Sequence, residues 1–220
     1  MIERGRMQDR PLTGKVAIVT GAGSPIGLGR AMTLALVRAG ARVAMLDVSE
    51  AWLEQTANDV QEVGGDSCVL TQVCDVSDPD SAEEAVRKTI AGLGGLHILI
   101  NNAGIINPSG HGIGKRTNFW DITPETWSKI VAVNSSGPFH MARASVGHMV
   151  AQKWGRVIGV TTSMDSMYHE GMSPYGPSKA CHEALSALMA RELEGTGVTA
   201  NVLVPGGATD TNILPQDLCY

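Results

Sequence analysis

The feature that most narrows the folds open to this chain is an alternation of short apolar runs with longer amphipathic stretches. Runs at Val16–Val19, Val43–Leu46, Cys68–Leu70, Ile98–Ile100, Val157–Val160 and Val202–Val204 are brief and lack a polar residue at every second place. Such runs suit strands covered on both faces. Between them, residues 26–39, 50–63, 79–93, 123–152 and 176–194 carry apolar side chains at three- and four-residue steps. Ser49, Asp78 and Thr123 stand where helix N-caps belong. Strand followed by helix, repeated, predicts an α/β fold: a Rossmann-type doubly wound parallel sheet in three α/β/α layers. Binding in such a sheet falls at the carboxyl ends of the strands.

Length and charge limit what the sheet can serve. The chain has 220 residues, 43% of them hydrophobic, which predicts one domain over 1–220 with residues 1–13 as a flexible arm. A net charge of −5, scattered rather than blocked, gives nucleic acid or an anionic membrane surface no footprint, so small molecules are the expected partners. Cys68, Cys74, Cys181 and Cys219 show no CxxC spacing and read as reduced thiols, which favours the cytoplasm. Met1–Lys15 lacks the apolar core of a secretory signal, and no apolar stretch reaches the length of a membrane span. No His/Cys/Asp cluster has metal-ligand spacing, and no metal is assigned.

The first apolar run leads into a turn holding Gly21, Gly23, Ser24, Pro25, Ile26, Gly27 and Gly29, and then into a helix. A pyrophosphate needs close backbone approach and free amides at a helix N-terminus, and glycines permit the approach. Ser24 can cap that helix, and Pro25 suits its first position. After the second run, Asp47 can accept hydrogen bonds from adenosine ribose hydroxyls and would repel a 2′-phosphate, so NAD(H) is favoured over NADP(H).

Tyr175 and Lys179 stand four apart on one helix face, where the ammonium can favour the phenolate of a tyrosine that otherwise titrates near pH ~10. Together with Thr20-Gly21 and Gly27, Asn101-Asn102-Ala103-Gly104, Asn134, Tyr175-Gly176-Pro177-Ser178-Lys179 and Pro205-Gly206, this set resembles the short-chain dehydrogenase/reductase family over about residues 13 to 211. The resemblance implies hydride transfer between a nicotinamide cofactor and a secondary alcohol or ketone. It implies Tyr175 as general acid/base and Lys179 on the nicotinamide ribose. A hydroxyl after strand five would orient the substrate oxygen, and Asn134 would hold a relay water. It also places Asp75-Val76 beside the adenine, Asn102, Ala103 and Gly104 along the cofactor, and Pro205-Gly206 with Thr211 near the nicotinamide. Homodimers or homotetramers are expected through the 123–152 and 176–194 helices.

Four departures from the family pattern matter. Pro25 replaces a glycine and removes an amide donor. The family's serine lies thirteen residues before its tyrosine, whereas Ser163 lies twelve before Tyr175 and Thr162 holds the expected slot. Residue type favours Ser163 and spacing favours Thr162; Ser163 is taken as the hydroxyl that orients the substrate oxygen, with Thr162 kept open. The loop Asn107–Thr117 is long for this connection, and Lys115 and Arg116 within it could attract an anion. The chain ends at Tyr220, so the C-terminal strand and lid of the family are expected to be missing. With Pro25, that shortness keeps open a dinucleotide-binding homologue without turnover. Met164–Met172 lies where the family forms one wall of its substrate pocket, with His169 read as a surface residue.

Overall fold

A computed structural model of the chain describes residues 10–107 and 117–206. Six strands, β1 (Val16–Thr20), β2 (Arg42–Asp47), β3 (Val69–Val73), β4 (Ile98–Asn101), β5 (Gly155–Val160) and β6 (Val198–Leu203), form one sheet in the order β3-β2-β1-β4-β5-β6. All neighbours pair in parallel. The order reverses between β1 and β4, and in open parallel sheets ligands bind beyond the carboxyl ends of the strands at such a reversal.

Alternate residues of β1 supply the two halves of the core. Ala17 and Val19 join Val43 and Met45 beneath α1 (Leu28–Arg38) and α2 (Glu50–Gly64), which contribute Leu34, Val37, Leu53 and Val60. Ile18 joins Leu46, Leu99 and Val157 beneath α3 (Pro79–Leu93) and α5 (Gly137–Ala151), which contribute Val86, Met141 and Met149. All five residues of β1 are buried, and each large apolar side chain so placed contributes about 1.5–3 kcal/mol. The remaining helices are α4 (Pro124–Val131), the short α6 (Met164–Met167) and α7 (Tyr175–Glu192). The expected caps are in place: Ser49 accepts from the Trp52 amide, Asp78 from Asp80 and Thr123 from Thr126.

Four boundaries differ from the sequence reading. Cys68 closes a 3-10 turn, and β3 runs on to Val73, because backbone pairing with β2 from Val43 to Asp47 carries Thr71 and Gln72 into an edge strand. β6 begins at Val198, where alternating burial marks a second edge. Helix α1 starts after Gly27, whose φ of 128° no helix tolerates, so Ser24 and Pro25 precede the helix rather than cap and open it. The single helix expected over 123–152 is broken by a π-helical turn at Ala132–Ser136. Pro138 lies four residues after Asn134 and has no N–H to give its carbonyl, which breaks the α-helical ladder there. Thr211, Cys219, Lys115, Arg116 and the rest of the 108–116 loop lie outside the described residues.

Candidate active site

The turn after β1 and the acid after β2 form one unit. Asp47 Oδ2 accepts from the Gly23 amide at 3.0 Å, Oδ1 accepts from the Ser49 amide at 3.1 Å, and Thr56 donates to the Gly23 carbonyl at 2.6 Å. A Cβ on Gly23 would fall 2.9 Å from the Asp47 side chain, so this approach requires glycine. The half-buried carboxylate still has lone pairs for further donors. Helix α1 alone among α1 to α4 begins without a side-chain cap, and its first turn holds no acid. Its leading amides are therefore left for an anion, which fits a dinucleotide pyrophosphate. Ser24 donates to the Ile26 carbonyl, and Ile26 is exposed on the rim.

At the end of β4, Asn102 ties the two central strands together. Its side-chain amide donates to the carbonyls of Thr20 at 2.9 Å and Gly21 at 3.1 Å, while Thr20 Oγ1 accepts from the amides of Asn102 and Ala103, both at 3.0 Å. Gly21, at φ 63°, packs so closely on Ala103 that a Cβ would meet its Cα at 2.9 Å. Two residues along, the Cβ position of Gly104 lies 3.3 Å from Lys179 Nζ and 3.5 Å from Asn134 Oδ1. A line of close contacts thus runs from the glycine turn to α7. Asp75 is exposed and bonds within its own turn, to the Ser77 amide and hydroxyl, while Val76 is buried against Gly137.

Tyr175 opens α7, and Lys179 follows one turn later. Lys179 is buried, its Nζ donates to the Val160 carbonyl at 2.9 Å, and the ammonium stands 5.7 Å from the centre of the Tyr175 ring. Burial lowers its pKa to about 8. The Tyr175 phenol is pushed up by burial, opposed by a hydrogen bond with Thr162. Lys179 is not among the influences on this phenol, since its ammonium is drawn to the Val160 carbonyl. Ser163 does something else: its hydroxyl caps α6, accepting from the Ser166 amide at 3.2 Å. Successive residues diverge at the strand end, and Thr162 is the one that turns to Tyr175.

Asn134, fully buried in the π-helical turn, accepts from the Ile105 amide and donates to the Ile105 carbonyl, each at 2.8 Å, and donates to Ser178 Oγ at 3.0 Å. Its side chain splints the segment after β4 to α7. A family model described as short chain dehydrogenase matches residues 15–217. The chain belongs to the short-chain dehydrogenase family. It is 32% identical to a 2,5-dichloro-2,5-cyclohexadiene-1,4-diol dehydrogenase of Sphingobium indicum, over 89% of this chain and 74% of that protein. It is also 32% identical to an NADPH-dependent aldehyde reductase-like protein of Arabidopsis thaliana, over 89% and 73%. The crystal structure of an NAD+-bound xylitol dehydrogenase superposes with a TM-score of 0.79 at 28% identity, covering 88% of this chain and 70% of that one.

Membership makes the chain a nicotinamide-dependent oxidoreductase acting on CH–OH groups. Most residues singled out from the sequence lie toward the carboxyl ends of the strands, with exceptions. Pro205 is half-buried and Gly206 exposed just past β6, and Gly206 has open space at its Cβ position. Met167, expected as pocket wall, is buried under α7 with its carbonyl against Gly176, whereas Met164, Tyr168 and His169 face solvent. The sequence motifs contain Thr20 and Ser178 without giving either a role, and they miss Thr56, which with those two holds the backbone of the site, and His182, buried one turn beyond Lys179. The thirteen-residue spacing was the signal for Thr162. Among the described residues no helix is long and apolar enough to cross a membrane.

Proposed function

We propose that this short-chain dehydrogenase interconverts a secondary alcohol and a ketone, with NAD(H) preferred over NADP(H). The carrying observation is the convergence of Tyr175 with Lys179 and Thr162, where Lys179 approaches Gly104 in the segment that follows β4. When bound, the nicotinamide supplies or takes the hydride. Tyr175 exchanges the proton of the substrate oxygen. Thr162, already bonded to that phenol, orients the same oxygen, a role the residue type alone would have given Ser163. Lys179, held at the Val160 carbonyl beside the ring of Tyr175, reaches the ribose, and with an oxidised nicotinamide bound the two positive charges together would favour the phenolate. Asn134 fixes the spacing between Ile105 and α7. Asp47 supports the NAD(H) preference: a carboxylate against the adenosine ribose accepts hydroxyls and repels a phosphate. Asp75, Val76, Pro205 and Gly206 contribute backbone surface only. Trp127, Phe139 and Leu188, exposed on α4, α5 and α7, suit pairing of two copies.

The test is a fluorescence titration with NADH and NADPH followed by a screen of secondary alcohols and ketones. Tighter binding of NADH is expected. Tyr175→Phe should cut turnover by about 10²–10⁴-fold while NADH still binds. An undiminished rate in that variant defeats the assignment, and tighter NADPH binding reverses the cofactor preference.

A further inference from the structure

His182 lies one turn beyond Lys179 on α7, is 1% exposed, and has no hydrogen-bond partner on either ring nitrogen among the described residues. Burial, and then the charge of Lys179, lower its pKa to about 3, so the ring is neutral. An unpaired buried imidazole costs folding energy that an apolar side chain of similar size would not. What the ring offers in return is shape. Across from it, β5 carries Gly159, where a Cβ would lie 2.5 Å from His182 Nε2 and 3.1 Å from Ser186 Oγ. Ser186 is itself tied to the His182 carbonyl at 2.9 Å. The imidazole fills the notch that the missing side chain leaves, and close packing on both sides gives it nowhere to move.

The same seam continues to the reacting groups. His182 meets Gly159, Lys179 meets the Val160 carbonyl at 2.9 Å, and Tyr175 meets Thr162, so the residues of α7 descend as those of β5 ascend. Thr161 donates to Glu183 at 2.9 Å along the edge of this seam. We propose that His182, seated in the notch at Gly159, is a positioning residue that sets the register of α7 on β5 and so holds Tyr175 on Thr162 and Lys179 on Val160. The proposal rests on the reading that Tyr175 and Lys179 do the chemistry. Misplacing reacting groups by about 1 Å can cost about a hundredfold in rate, so a side chain that touches no substrate can still govern turnover.

Two measurements test it: the ultraviolet titration of the Tyr175 phenol, with Tyr175→Phe as the blank, and kcat and KM in the cofactor-coupled assay. Gly159→Ala drives a methyl into the ring. It should raise the Tyr175 midpoint, because the bond with Thr162 loosens, and lower kcat roughly ten- to a hundredfold with KM for NADH little changed. Adding His182→Ala to Gly159→Ala relieves the clash and should return both quantities toward wild type. An unmoved midpoint in Gly159→Ala, or a double variant no nearer to wild type than the single one, overturns the proposal. Should Gly159→Ala fail to fold, His182→Ala alone decides: it empties the notch, and an unchanged midpoint with unchanged kcat overturns the proposal equally. If the wild-type chain turns over nothing while the midpoints follow this pattern, the catalytic reading falls and the register survives.

Discussion

The two halves of the sheet hold their parts of the site by different means. On the side of β1, β2 and β3 the work is done by backbone: Gly23 leans on Asp47, the Ser49 amide closes on the same carboxylate, and α1 begins with its amides uncapped. On the side of β4, β5 and β6 side chains reach across from helix to strand, from Asn134 to Ile105, Lys179 to Val160 and Tyr175 to Thr162. Backbone sites leave a local signature, since only glycines and capping residues permit them. Side-chain seams depend on register, which neighbouring residues do not announce.

The sharpest way to break this contrast is at the end of β5. Thr162→Val keeps shape and removes the hydroxyl; kcat should fall roughly a hundredfold, the scale of a lost donor at the reacting oxygen. Ser163→Ala should leave kcat near wild type and cost about 1 kcal/mol of stability through the cap of α6. The reverse pattern in steady-state kinetics would hand the role to Ser163. Next in size is Asp47→Ala. It removes a charged acceptor from the ribose position and from the Gly23 amide, so NADH should bind about tenfold more weakly, equivalent to a charge-assisted bond of ~1.5 kcal/mol. NADPH should gain in the same fluorescence titration, and a parallel loss of both would reduce Asp47 to a loop anchor.

These differences explain what could be read from the chain itself. The strand runs, the caps at Ser49, Asp78 and Thr123, and the glycine turn were all legible, because each depends on residues within a few positions. The edge strands β3 and β6 were read too short because their exposed faces carry polar residues that only pairing with a neighbour explains. The π-helical turn at Asn134 hid inside a good amphipathic pattern, though Pro138 pointed to it. Thr162 and Ser163 could not be separated because a strand end has no fixed alternation. His182 was invisible, since a histidine in a helix says nothing about a glycine on the strand beneath it.

A smaller effect is expected from acid. His97 at the opposite edge of the sheet accepts the Val16 amide at 3.1 Å, and its pKa is lowered by burial and by Lys15, while His182 is lowered to about 3. A histidine whose folded pKa is depressed lends its stability above the unfolded value, near pH ~6.5, and loses it as pH falls below that. Urea midpoints should therefore decline below about pH 6.5, by roughly 1 kcal/mol per pH unit for His182 and by less for the partly exposed His97. His182→Leu should flatten part of that slope; a slope unchanged in the variant would mean His182 is protonated as readily in the fold as outside it.

The least disruptive probe is Ser49→Ala, on the legible side. The hydroxyl accepts from the Trp52 amide at 3.3 Å, and losing it should cost about 1 kcal/mol, or about 2–4 °C in melting temperature for a chain of this size. Alanine keeps the backbone N–H that donates to Asp47 Oδ1, so the carboxylate stays anchored and NADH affinity should not move. That separation is the point of the probe. A weakened affinity would show the Ser49 side chain acting on Asp47, and the nucleotide half would then depend on side-chain register as the catalytic half does.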